Sequence, residues 1–188
     1  RIRTIVQDLR TFSRLDEAEK KTVSLVENLE STQRLVRAQY AKEIDFISDF
    51  KANPEIECLP AQLNQVFMNL MMNACQAIRQ KHSDIHGEPD SSTDATTGDG
   101  EKILGSLTIS TELRGEDVAI SFIDTGAGMS PEVQQKIFEP FFTTKEVGEG
   151  TGMGMSISYQ IIEKHHGRFE IASVEGEGST ITILLPLQ

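Results

Sequence analysis

Positive charge is scarce in this 188-residue chain: 18 Lys and Arg stand against 29 Asp and Glu, a formal net charge of −11. That balance argues against a nucleic-acid or anionic-membrane surface. Cysteine is scarce too. Cys58 and Cys75 lie inside apolar runs without CxxC spacing, which reads as two reduced core thiols in a cytosolic domain. No apolar run approaches the length of a membrane span, and no signal-peptide pattern is present. No Gly-x4-Gly-Lys-Ser/Thr occurs, which excludes a P-loop. An initiator methionine is missing as well. The chain opens at Arg1 inside a helical pattern, so a piece of a longer protein is expected, with room for one domain and an appendage.

What is present begins with periodicity. Ile2, Ile5, Val6, Leu9 and Phe12 have helical spacing over 1–15, too short to stand alone in water. A charged connector at 16–22 leads to a second amphipathic helix over 24–39, with Val26, Leu29, Leu35 and Val36 turned inward. Short strands are expected at 44–47 and 56–59. The clearest period runs over 61–79, where Leu63, Val66, Phe67, Leu70, Met71, Ala74, Ala77 and Ile78 form one wide stripe. Asn69 and Asn73 sit one turn apart on its edge, beside Gln62 and Gln76, where the wall of a ligand pocket belongs.

Residues 82–102 break the pattern with six acidic side chains against Lys102, and read as a disordered acidic insertion. Strands follow at 106–113 and 118–123, then a short helix from Ser130-Pro131 to Ile137. A helix over 153–165 is stopped by Gly167, and strands at 169–174 and 180–185 flank a turn. This order predicts an α/β sandwich: a mixed sheet of about five strands with about three helices on one face, preceded by the short amino-terminal helix.

Glycine is concentrated where chemistry is expected. Asp124 ends a strand and enters Asp124-Thr-Gly-Ala-Gly128. Its carboxylate suits the exocyclic amine of adenine, and Gly126 and Gly128 let the backbone approach the ring. Phe138-Glu-Pro-Phe-Phe-Thr-Thr-Lys145 followed by Gly148 to Gly154 reads as a hinged flap ending at a helix N-terminus, a phosphate site. Gly150-Thr-Gly-Met-Gly154 follows no hydrophobic strand directly, so a dinucleotide fold is not expected. His165-His166 point about 100° apart on a helix with no third ligand in view, which reads as a helix end rather than a metal pair. Gly178-Ser-Thr180 reads as a hairpin turn able to support a pocket floor.

In this order the elements resemble the catalytic ATP-binding domain of bacterial sensor histidine kinases, in the GHKL superfamily with the Bergerat fold. The resemblance covers about 23–187: an asparagine box at Asn69-Leu-Met-Met-Asn-Ala74, a first glycine box at Asp124–Gly128, a phenylalanine box at Phe138–Phe142 and a second glycine box at Gly150–Met155. Residues 1–21 are similar to the end of the second helix of the family's dimerisation and phosphotransfer domain plus a linker. Residues 22–188 are similar to the catalytic domain. Thr125 stands where Asn is common, and Met153 and Met155 where Leu is common.

The resemblance implies ATP and Mg²⁺ as ligands. Asn73 would be the metal ligand, and Asn69, Asn73 and Lys145 the catalytic set. Asp124, Gly126, Gly128, Phe138, Thr143, Thr144, Gly150, Thr151, Gly152, Met153 and Gly154 would complete the nucleotide site with them. It implies transfer of the γ-phosphoryl group to a histidine absent from this chain, then to a response regulator receiver domain. The implied parent is a homodimer, this domain is cytoplasmic, and nucleic acid is not a partner. Two other functions compete: a GHKL ATPase of the gyrase, chaperone or mismatch-repair type, and a nucleotide-binding scaffold. The hydrolases carry a glutamate at position 69 to activate water. Asn69 cannot take a proton near neutral pH, and no pocket element is missing, so the kinase reading is preferred.

Overall fold

Leu107, Ile109 and Thr111 alternate inward along one strand and Val118, Ile120 and Phe122 along the next, and these rows face a layer of helices. The computed structural model describes residues 19–86, 103–145 and 151–187, with the side chains of 85 and 86 excepted. The expected helix at 1–15, most of the acidic segment, and Gly148 and Gly150 lie outside those residues. In chain order the elements are β1 (Lys21–Ser24), α1 (Leu25–Tyr40), β2 (Ile44–Phe50), β3 (Glu55–Cys58), α2 (Pro60–His86), β4 (Gly105–Arg114), β5 (Asp117–Asp124), α3 (Pro131–Lys136), α4 (Gly154–Lys164), β6 (Arg168–Val174) and β7 (Gly178–Pro186). The main sheet has the order β2-β4-β5-β7-β6. Only β2 and β4 run parallel, so the sheet is mixed as expected, and the helices pack on one of its faces.

The long helix α2 is the centre of the packing. Leu63, Val66, Phe67, Leu70 and Met71 are essentially inaccessible, and the Phe67 ring lies 6.1 Å from that of Phe122 on β5. Each such side chain contributes about 1.5–3 kcal/mol on burial, before its ordering entropy is charged against it. The stripe read from the sequence is therefore what locks α2 to the sheet. Locking it there also fixes where its polar edge points.

Several boundaries differ from the sequence reading, each for a tertiary reason. The connector expected at 16–22 ends in a strand at Lys21, and the helix expected from 24 starts at Leu25: residues 21–24 form β1, which pairs antiparallel with β3. Helix α1 buries Leu25, Leu29, Thr32, Gln33, Val36 and Tyr40, while Leu35 is 66% exposed and Val26 only half-buried. The three-four register from Leu25 through Tyr40 excludes position 35. Strand β2 continues to Phe50, because β4 offers parallel partners as far as Thr111.

Helix α2 continues past the expected end at 79 to His86, so 82–86 are helical and not part of an irregular insertion. Two contacts carry the extension beyond the hydrophobic stripe. Arg79 makes a forked bond to Glu43 at 2.5 and 2.9 Å, and the Lys81 ammonium donates to the Thr125 carbonyl at 3.0 Å. Both cysteines are free and buried. Burial pushes the Cys58 thiol up to about 11 and the Cys75 thiol up to about 12, so neither is nucleophilic near neutral pH.

Candidate functional site

A cavity of about 590 Å³ opens between the polar edge of α2, the end of β5, the segment after α3 and the start of α4. Asn69, Asn73, Asp124, Gly128, Thr143, Thr144, Lys145, Thr151, Gly152 and Gly154 all line it. These residues are separated by up to 85 positions in the chain, and the fold gathers them on one wall system. Its volume falls in the range of small-molecule and cofactor pockets.

At the deep end, Asp124 is 8% exposed and accepts the Gly126 amide proton through Oδ1 at 2.8 Å. Burial raises its pKa; the Gly126 and Ser179 amide protons and the Lys81 charge oppose that rise. A carboxylate in this position is an acceptor at the bottom of an apolar slot whose sides include Met129, Val133, Ile137 and Ile181. Gly128 has φ 68°, and a Cβ there would stand 2.0 Å from the Val174 carbonyl oxygen, so only glycine lets this turn close over the β6–β7 hairpin.

At the mouth, Asn69 donates its Nδ2 proton to Ser158 Oγ at 3.0 Å, which fixes its amide against α4. One turn on, Asn73 Oδ1 accepts the Lys145 ammonium at 3.4 Å, and Lys145 also donates to Gln76 Oε1. Helix α4 starts without a side-chain cap. Gly152 and Gly154 line the cavity at this start, which leaves the positive end of the helix beside the pocket.

Not every expected site residue faces the cavity. The Phe138 ring packs 5.1 Å from Tyr159 and 5.0 Å from Phe169, as an anchor for the segment behind it. Gly126 serves through its bond to Asp124, and Met153 is a core side chain at the start of α4. None of these three lines the cavity. Thr125, where the family's asparagine is common, turns its hydroxyl to β4 and accepts the Ser106 amide proton at 3.0 Å. Gly150 lies outside the described residues.

His165 is no metal ligand: its Nε2 accepts the Leu59 amide proton at 3.1 Å, while Nδ1 meets the Ile161 carbonyl at 2.7 Å. Among the described residues there is no cluster of three or more His, Cys, Asp or Glu able to hold a metal. The β6–β7 hairpin does support the floor: Ser179 lines the cavity beside Asp124. Sequence reading missed the apolar slot, because Met129, Val133, Ile137 and Ile181 look like ordinary core residues until the sheet and α3 face each other.

This architecture and wall chemistry are those of an ATPase module, and comparison with known proteins agrees. Residues 58–188 match the family described as histidine kinase-, DNA gyrase B-, and HSP90-like ATPase. The chain belongs to that family, and within it is a catalytic module homologous to sensor histidine kinases. The signal transduction histidine-protein kinase AtoS of Escherichia coli is 34% identical over 99% of this chain and 27% of its own length. Sensor histidine kinase ZraS of the same organism is 37% identical over 73% of this chain and 25% of its own. The chain therefore spans about a quarter of these relatives. The nucleotide-free catalytic domain of histidine kinase ThkA superposes with a TM-score of 0.70 at 27% identity, covering 90% of this chain and 96% of that one. Full-length ShkA in complex with AMPPNP shares the fold, with a TM-score of 0.74 at 21% identity, covering 98% of this chain and 35% of that one.

Proposed function

We propose that this chain binds Mg-ATP in the cavity and transfers its γ-phosphoryl group to a histidine on a dimerisation and phosphotransfer domain of the same protein, for passage to a response regulator receiver domain. One observation carries the reading: Asp124, Asn69, Asn73, Lys145 and the uncapped start of α4 line a single cavity. Asp124 is the acceptor for the adenine amine, and the slot formed by Met129, Val133, Ile137 and Ile181 takes the ring. The start of α4, with Gly152 and Gly154, receives phosphate oxygens on backbone N–H groups, and Lys145 adds a cation, the one Lys or Arg among the described residues that line the cavity.

Asn73 fits a magnesium ion, because its Oδ1 already accepts a cationic group from Lys145 in this structure. No described carboxylate cluster competes for the metal, so triphosphate oxygens and water would complete its shell. The metal would supply charge neutralisation on the phosphoryl group being transferred. Asn69, held by Ser158, lines the phosphates without offering a base, which favours transfer to a positioned histidine over hydrolysis.

The domain works in the cytoplasm, where ATP is available, as part of a homodimeric parent. No described helix is long and apolar enough to cross a membrane. The residues before β1 are assigned to the end of the phosphotransfer helix and its linker, and those from Lys21 to 188 to the catalytic domain, because Lys21 already pairs with Cys58.

Calorimetric titration with ATP and ADP, with and without Mg²⁺, tests the first half. Incubation with γ-labelled ATP and a separately made phosphotransfer hairpin tests the second. Binding and acid-labile phosphate on the hairpin are expected. Failure to bind either nucleotide would overturn the reading.

A further inference from the structure

Lys145 and Gln76 lie 69 positions apart, yet the lysine ammonium donates to the Gln76 side-chain oxygen and, more loosely, to Asn73 Oδ1 at 3.4 Å. Asn73 and Gln76 are three residues apart on α2 and so share one face, which makes their two amide oxygens a pair of acceptors aimed at one point. An ammonium has three donors and no acceptor, and these neutral oxygens are well matched to it. We propose that Gln76 is a positioning residue for Lys145: it holds the ammonium at the cavity mouth as a stand-in cation on Asn73 and keeps it there when a metal takes over the Asn73 oxygen. This rests on the reading of Asn73 as the metal ligand.

The physical argument concerns two cations and one oxygen. A divalent ion and an ammonium repel each other strongly at contact distance, so they do not share Asn73 Oδ1. Gln76 gives Lys145 a second acceptor one turn away. The lysine can then leave Asn73 without swinging into solvent, where its rotamer entropy would have to be lost again on meeting a phosphate. Asn73 thus exchanges one cation for another, and Gln76 sets how far the displaced one moves.

The experiment reads Lys145 directly, with the whole chain. Brief reductive methylation with formaldehyde, followed by peptide mass spectrometry, gives the labelling rate of each lysine. In nucleotide-free protein, Gln76→Leu should raise Lys145 labelling severalfold while the rates of Lys51 and Lys136 stay unchanged, and Gln76→Glu should restore protection. Adding Mg²⁺ with a non-hydrolysable ATP analogue should protect Lys145 again in wild type, and less in Gln76→Leu. Equal Lys145 labelling in wild type and Gln76→Leu without nucleotide overturns the proposal. That arm contains no nucleotide, so its result is separable from failure of the ATP reading, which shows instead as absent binding in calorimetry. A general rise at all lysines in Gln76→Leu would signal misfolding. Lys145→Met then serves as the second variant: it should leave ADP affinity in wild type and Gln76→Leu equal, and a persistent difference between them also overturns the proposal.

Discussion

A Cβ placed on Gly154 would stand 2.3 Å from Asn69 Oδ1, so the first residue of α4 and Asn69 on α2 are packed to the limit that glycine allows. Gly154 has an ordinary helical backbone, and the atom in the way is the tip of a side chain. The Gly154→Ala change therefore has two opposed effects. Alanine favours the helix by about 0.5–1 kcal/mol, while the displaced Asn69 amide loses its bond to Ser158. Melting temperature is expected to move by only a few degrees, and ATP affinity to fall about tenfold or more. A variant that keeps full affinity would remove Asn69 from the site.

Asp124→Ala should weaken ATP and ADP alike, by about 1–3 kcal/mol, because a buried ring amine would lose its acceptor. The Gly126 amide would also lose its partner, so the turn itself loosens. Calorimetry with ADP is the cleanest check, since ADP lacks the γ-phosphate. Unchanged ADP binding in this variant places adenine elsewhere.

Asn73→Ala should abolish the advantage that Mg²⁺ gives to ATP binding and stop phosphoryl transfer, while metal-free binding through Asp124 largely survives. The acidic chain, at −11, offers a bare triphosphate little help, so the wild-type dependence on metal should be steep. Titrations with and without Mg²⁺ that give the same ratio in wild type and variant would count against Asn73 as the metal ligand.

His165 makes folding sensitive to mild acid. Its two ring nitrogens hold Leu59 and Ile161, which requires the neutral form with the proton on Nδ1. Burial lowers its pKa; the bond to the Ile161 carbonyl opposes that, and the charges of Lys164, Lys20 and His166 add to the lowering. Below the ordinary histidine value near ~6.5 the unfolded chain binds the extra proton more readily. The stabilisation is therefore complete above that value and is lost as pH falls from it through the lower value of the folded chain. His165→Gln keeps an acceptor for Leu59 without titrating. Melting curves from about pH 7.5 to about pH 5.5 should fall more steeply for wild type than for this variant. Parallel curves would refute the assignment.

The chain by itself should bind ATP but not label itself. Its histidines are His82, His86, His165 and His166. The bonds of His165 occupy both nitrogens, and His166 ends its helix in a left-handed conformation with φ 59°. Neither has an acidic residue directly after it. Hydrolysis should also be slow, because Asn69 cannot act as a base. Acid-labile phosphate on His165 or His166 after incubation with γ-labelled ATP would overturn this.

Much was legible from residue order alone. The apolar stripe of α2 repeats often enough that its face, and hence the placing of Asn69 and Asn73 on its edge, follows from helical geometry. Asp124 before Gly-Ala-Gly marks a strand end entering a tight turn, and glycines before an apolar helix mark an open N-terminus. These are local properties, set by neighbours within a few positions. Where α2 stops is not local: Lys81 extends it by reaching Thr125, 44 positions on. Strand β1 exists only because β3 supplies its partners. Phe138 looked like part of the pocket until its ring met Tyr159 and Phe169. The sequence determined which chemical groups are available and on which face of each element they stand. Only the tertiary structure decided which of them meet, because the Lys145–Gln76 contact and the apolar slot under Asp124 join residues whose separation in the chain carries no periodic signal.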